Sequence, residues 1–387
     1  MKAKLNILLT QMPAHNVMKI LIIRRDNIGD LILTTPLISA LRAAKPDAKI
    51  DILVNSYCAP VLNDNPDLDD VFVYDKGHHR GEKSLAQAYW ERVKLFLHLR
   101  KERYDSIIIA KPNVEKRPYR LAKIIGAKRI FGIVESGSSY ENVISDPIYV
   151  SPEIQHVAEI SYQIAKKFGA PNSCGKTKIF PAPNLLETAN QKKLRRLGMC
   201  VKTIAIQISS RKIKQRWQIE KYAELIRRLH LREKCAFQVY WSPGNATNPM
   251  HPGDDEIAAH LETLLDKDLP VQFCRTQSLA ELTASLATND ILITSDGGAL
   301  HIGAALGLPI VCFFGNSDPA RWHPWLVPHK LIQMDSADVG DISVDMAIEA
   351  YDELCAQLRL PAPHSQTIQI ANITTTNDNL ARASNKN

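Results

Sequence analysis

The chain has 387 residues, 45% of them hydrophobic and 23% charged, which is enough for two globular cores. Its 48 Lys and Arg exceed 41 Asp and Glu, and the formal net charge of +7 suits an anionic ligand, an anionic membrane surface or nucleic acid. No stretch approaches the roughly 18 consecutive apolar residues of a membrane span, and the seven dispersed cysteines form no CxxC pair, so neither a zinc site nor a disulfide framework is expected.

In the opening segment, MKAKLNILLTQMPA, lysines precede an apolar run (Leu5–Thr10) shorter than the ~7–15-residue core of a signal peptide. Residues 1–17 therefore read as an extension of a cytoplasmic protein. Lys19–Arg24 (KILIIR) is a short apolar run of the kind a buried parallel strand produces. The turn Asp26-Asn27-Ile28-Gly29-Asp30 follows, and then helical spacing over Leu31–Ala44. Strands are expected at Ile50–Val54, Val71–Tyr74, Ser106–Ala110 and Arg129–Gly132, with helices over Leu85–Arg103 and Arg120–Gly126. The stretch from Ser136 to Pro183 is interrupted by prolines and shows no regular pattern. Helical spacing returns at Leu185–Leu197, within the expected connection at 175–200.

The alternation then restarts. Strands are expected at Thr203–Ile208, Ala236–Trp241, Val271–Phe273, Ile291–Thr294 and Ile310–Phe314. Helices are expected at Ile219–Leu231, Asp254–Leu265, Leu279–Ala287, His301–Leu306 and Ser343–Leu358. Strand–helix alternation is the pattern of an open, mostly parallel α/β sheet. The expected division is an α/β domain over 18–185, a second over 186–345, a C-terminal helix at 346–360 and a polar, disordered tail at 361–387.

Two strand-to-helix turns carry candidate chemistry, because ligands of doubly wound sheets bind beyond the carboxyl ends of the strands. In Arg24-Arg25-Asp26-Asn27-Ile28-Gly29-Asp30, the glycine permits a sharp turn, and Asp30 either caps the helix or acts on a ligand. In Thr294-Ser295-Asp296-Gly297-Gly298-Ala299-Leu300-His301, adjacent glycines admit a ligand to the backbone, and the amides opening the helix favour a phosphate. A capped helix with an ordinary histidine fits the same spacing. The first turn lacks GxGxxG, which disfavours a dehydrogenase. No RNA-binding motif or basic recognition helix is present, so nucleic acid is the least expected partner.

Taken together, KILIIRRDNIGDLILTTPLISALR and TSDGGALHIGAALGLPIVCFFG resemble the opening "GD" loop and the C-terminal donor motif of glycosyltransferase family 9, the ADP-heptose:lipopolysaccharide heptosyltransferases. WSPG, HPGDDEIA and ISSRKIKQRW occur in the family's order between them, and the resemblance spans roughly residues 18–325. It implies a GT-B fold, two Rossmann-like domains facing across a cleft, with the acceptor on the first and the nucleotide sugar on the second. It further implies an inverting transfer of a sugar, heptose from ADP-heptose above all, to an anionic lipopolysaccharide-type glycolipid, without a metal or other cofactor. Contact with the inner membrane would then be peripheral.

Residue by residue, the resemblance makes Asp30 the catalytic base and Asp296, Gly297, Gly298 and His301 donor-binding positions. Ser209 and Ser210 match hydroxyl residues on the diphosphate, Gln277 the nucleobase loop and Glu256 a ribose acceptor, the last beside an insertion, NATNPMH. The family's phosphate-contacting lysine falls at Gln215, so Lys214, or Arg216, is expected to supply the charge. That departure also keeps open a different nucleotide sugar, or a nucleotide-binding homologue without catalysis. Arg25, Lys111, Arg117 and Arg120 are candidate contacts for an anionic acceptor, or else a solvated basic face. His78-His79-Arg80 reads as an exposed loop rather than a metal site.

Overall fold

The computed structural model describes residues 17–74, 85–197, 202–247 and 253–359. The extension through residue 16, the His78-His79-Arg80 loop, Cys200, the Asn248–His251 part of the insertion and the tail beyond 360 lie outside the described residues.

The first half begins with β1 (Lys19–Ile23), α1 (Ile28–Ile32), α2 (Thr35–Ala44), β2 (Lys49–Asn55) and β3 (Asp70–Tyr74). It continues with α3 (Leu85–Lys101), β4 (Ser106–Ile109), α4 (Lys116–Ile125), β5 (Arg129–Ile133), β6 (Asp146–Ile148) and α5 (Val157–Lys166). The single helix expected over Leu31–Ala44 is two helices. Pro36 lies in the first turn of α2, where its missing N–H is harmless but a continuous helix through it would lose a hydrogen bond. The irregular stretch after Ser136 contains β6 and α5. β6 leaves no strand pattern in the sequence because it is three residues long, includes Pro147 and sits at a sheet edge, where proline is tolerated.

After α6 (Pro183–Leu197) come β7 (Thr203–Gln207), α7 (Ile219–Glu233), β8 (Ala236–Tyr240), α8 (Asp255–Leu264), β9 (Val271–Cys274) and α9 (Leu279–Leu286). Then follow β10 (Ile291–Ser295), α10 (Gly298–Ala305), β11 (Ile310–Phe314), α11 (Pro319–Trp322), β12 (His329–Gln333) and α12 (Val344–Arg359). β12 was not expected, since HKLIQ is a half-buried edge strand with polar residues at three of five positions.

All strand pairs are parallel, in the orders β3-β2-β1-β4-β5-β6 and β12-β11-β10-β7-β8-β9. Each is a doubly wound order whose direction reverses next to its first strand, between β1 and β4 and between β7 and β10. The central strands are buried on both faces, as their unbroken apolar runs require. α3 and α4 cover one face of the first sheet through Leu99, Leu121, Ala122 and Ile125. On its other face the buried cluster around α2 and α5 continues into Leu292, Leu300 and Ile302 of the second sheet's layers. Each such aliphatic side chain contributes ~1.5–3 kcal/mol on burial. The core thus runs from one sheet to the other directly beneath the two candidate turns.

Candidate active site

β1 delivers the first turn. Its last residues are apolar and buried, but the next side chain, Arg24, is a cation only 1% exposed. Arg24 Nη2 donates to Asp30 Oδ1 at 2.8 Å, Nη1 donates to the Ala110 carbonyl, and Nε lies 3.4 Å from Asp26 Oδ2. Lys111, just beyond β4, places Nζ 2.9 Å from Asp26 Oδ1 and 2.7 Å from Glu115. Asp30, Arg24, Asp26, Lys111 and Glu115 therefore form a chain of alternating charge across the switch point. A buried guanidinium requires such pairing, since desolvation alone costs several kcal/mol.

The capping reading of Asp30 is seen directly. Asn27 is the N-cap of α1 and Asp30 its third residue, with Oδ2 accepting the Asn27 N–H at 3.2 Å. The same carboxylate keeps 16% of its side chain exposed. Capping and Arg24 hold it in one orientation without sealing it from the gap.

β10 delivers the second turn, and α10 begins at Gly298. Asp296 Oδ2 accepts from Gln215 Nε2 at 3.0 Å and from Ser317 Oγ at 2.5 Å. His301 is 4% exposed and lies directly on Gly29; a Cβ added to Gly29 would stand 2.4 Å from His301 Cδ2. Gly298 faces Ile28 in the same way, with a Cβ 3.6 Å away. The two turns, one from each sheet, therefore share one gap. Burial lowers the pKa of His301, partly offset by the Asp296 and Asp30 carboxylates, so the ring is neutral near pH 7. Its Nδ1 has no hydrogen-bond partner among the described residues.

Ser209 and Ser210 follow β7, beside the same switch point. Ser209 Oγ accepts the Ser242 N–H at 2.8 Å, and Ser210 Oγ donates to Gln215 Oε1 at 3.3 Å. Gln215 is 4% exposed and also donates Nε2 to Ser317 Oγ at 2.9 Å. The position of the family's lysine is thus filled by a neutral amide that binds Asp296. Lys214 points outward, exposed, with no ion pair among the described residues, and Arg216 is engaged by Asp254 at 3.2 Å and the Ser210 carbonyl at 2.8 Å. Glu256 is exposed on the first turn of α8 and, with Trp217, Ile219 and His260, lines a shallow groove of about 330 Å³ that includes neither Asp30 nor Asp296. Gln277 is exposed and its N–H is held by Glu281 at 2.8 Å.

On the first-domain side, Arg25 donates Nε to the Tyr74 hydroxyl and stacks 4.7 Å over its ring. Arg117 and Arg120 are exposed on α4. Trp322 and Trp325 pack between the halves: Trp325 stacks 4.3 Å from His156, which stacks 4.4 Å from His323, and Trp322 lies 6.2 Å from His301. Among the described residues, no three His, Cys, Asp or Glu side chains converge as a metal-binding group.

Two parallel doubly wound sheets, with a carboxylate turn facing a glycine-rich helix opening, are the architecture of the GT-B fold. Residues 92–338 match the model of glycosyltransferase family 9 (heptosyltransferase), more than half of the chain, and the protein belongs to that family. Lipopolysaccharide heptosyltransferase 3 of Escherichia coli is 25% identical over 330 residues, covering 81% of this chain and 88% of the relative. The crystal structure of a family 9 glycosyl transferase from Veillonella parvula superposes with a TM-score of 0.74 at 22% identity, covering 88% and 98% of the two chains. E. coli heptosyltransferase WaaC with ADP gives a TM-score of 0.70 at 18% identity, covering 87% and 100%.

Proposed function

We propose that this glycosyltransferase moves heptose from ADP-heptose to a lipopolysaccharide core or lipid A-type acceptor, inverting the anomeric centre. The observation that carries the reading is the apposition of Gly29 and His301, which sets Asp30 and the Asp296–His301 turn around one gap. Relatives named as lipopolysaccharide heptosyltransferases support the sugar and the acceptor class.

In this account the diphosphate lies at the start of α10, where free backbone amides and the helix dipole favour negative charge. Asp30 takes the proton of the acceptor hydroxyl as the new C–O bond forms on the face opposite the departing nucleotide. Arg24 keeps Asp30 oriented, and the amides of the second turn stabilise the charge gathering on the leaving group. No divalent ion is required for that stabilisation.

Gln215 favours a second reading, in which the donor carries another nucleotide. Isothermal titration with ADP, UDP, GDP and ADP-heptose, with chelator present, separates the two. Selective binding of ADP and ADP-heptose that is lost in Asp296→Ala supports the proposal. Preference for another nucleotide transfers the same chemistry to another donor, and absence of any binding points to a homologue without catalysis.

A further inference from the structure

The outer surface of α3 and α4 carries an unusual mixture of cations and large apolar side chains. Tyr89 is 64% exposed, Trp90 62%, Leu97 54% and Ile124 53%. Burying a tryptophan is ordinarily worth several kcal/mol, so one left mostly in water marks a surface with something to meet. Trp90, Lys94, Leu97 and Lys101 recur at helical spacing, which lines them along one exposed stripe of α3.

Charge on these two helices is equally one-sided. α3 and α4 hold eight Lys and Arg against a single acid, Glu91, whereas the whole chain is only +7. Lys94, Lys101, Lys116, Arg117, Arg120 and Lys123 make no ion pair among the described residues. Some surface cations elsewhere are paired, as Arg129 is with Asp146, Arg232 with Asp352 and Lys330 with Glu353, and others, such as Lys214, are not; what sets α3 and α4 apart is six such cations on two adjoining helices beside exposed apolar side chains. The two helices are joined through Arg100, whose Nη1 donates to the Ile124 carbonyl at 2.7 Å, and both rest on the same face of the first sheet. That face lies opposite the one whose core continues into the second sheet. α4 also begins directly after the turn that holds Lys111, on the acceptor side of the gap.

We propose that the α3–α4 face is a docking surface for an anionic lipid bilayer, with Trp90 and Leu97 entering the interface and the unpaired lysines and arginines meeting lipid phosphates. Interfacial aromatics with a surrounding cationic field are the combination such surfaces require. The inference deepens the proposed glycolipid-acceptor reading: docking would hold the acceptor side of the gap at the surface where a lipid-linked sugar is presented. No helix among the described residues is long and apolar enough to cross a membrane, so attachment by this face would be peripheral.

The test is flotation of the full chain with vesicles of phosphatidylcholine alone or with about one third phosphatidylglycerol, at low and high salt. Wild type is expected to float with the anionic vesicles and to be released by salt. Lys94→Glu with Lys101→Glu should weaken partitioning at least 25-fold, since each neutralised charge alone gives about fivefold. Trp90→Ala with Leu97→Ala should weaken it while preserving the melting temperature. Quenching of Trp90 by brominated lipid, absent in Trp90→Phe, reports insertion directly. Equal partitioning of wild type and both variants, or no preference for anionic vesicles, overturns the proposal. So does sedimentation showing that the same substitutions dissolve a dimer instead. Neither nucleotide nor acceptor enters the assay, so its failure leaves the transferase reading standing, and failure of that reading leaves vesicle binding to be judged by itself.

Discussion

Gln215→Leu isolates the contact that distinguishes this donor turn. The substitution is close in volume, so little cavity results, but it removes the amide's bonds to Asp296 (3.0 Å), Ser317 (2.9 Å) and Ser210 (3.3 Å). A hydrogen bond to a charged group contributes ~1.5–3 kcal/mol and a neutral one ~0.5–1.5 kcal/mol. Ser317 still holds Asp296, and Ser210 can turn to water, so the net expectation is a loss of about 2–3 kcal/mol in stability. The turn opening α10 would also lose one of its two side-chain anchors. Reordering a single carboxylate at ~1.4 kcal/mol weakens ADP binding about tenfold. Gln215→Lys should instead retain the Asp296 contact, bind ADP at least as tightly as wild type and add a steeper salt dependence. The assay is urea denaturation beside isothermal titration. If Gln215→Leu matches wild type in both, the amide does not organise the turn and the argument fails.

Gly29→Ala should cost about 1–3 kcal/mol, because its methyl group meets the buried His301 ring rather than a yielding side-chain end. The double variant with His301→Ala should recover part of that loss in thermal melts, a non-additivity that independent sites would not show. Stability should also fall in acid through the interdomain histidines. Burial holds His156 down at about 3 and His323 at about 4, against an ordinary value near 6.5, and His301 and His329 face both rings. These groups are neutral when folded, so their contribution is complete above ~6.5 and is lost as pH falls toward the folded values, by up to ~1.4 kcal/mol per histidine per unit. Denaturation at pH 7.5 and 5.0 should show this, with a shallower slope in His156→Asn; an unchanged stability between the two pH values would refute it.

Legibility in the sequence tracked how local the deciding interaction is. The Gly29-Asp30 and Asp296-Gly297-Gly298 turns were readable because each closes an apolar run and precedes helical spacing. Arg24 was not, since a cation at a strand end ordinarily reaches water; its burial depends on Asp26, Asp30 and the Ala110 carbonyl, the last supplied from 86 residues away. The Ile213–Gln215 turn misleads similarly. Apolarity would put Ile213 inside, yet it is 85% exposed, and the 3-10 turn sends Gln215 inward toward Asp296. Polarity ranks residues for burial, but a tight turn next to a charged partner overrides the ranking. α5 was hidden by flanking prolines despite a well-formed amphipathic run.

The most direct test of the central claim is ADP release from ADP-heptose, in chelator and with a heptose-deficient lipopolysaccharide acceptor, comparing wild type with Asp30→Asn. The account predicts metal-free turnover by wild type and a loss of at least ~10²–10⁴-fold in kcat for the variant, the span of general-base catalysis, with ADP-heptose affinity unchanged. Turnover by Asp30→Asn at the wild-type rate would contradict it.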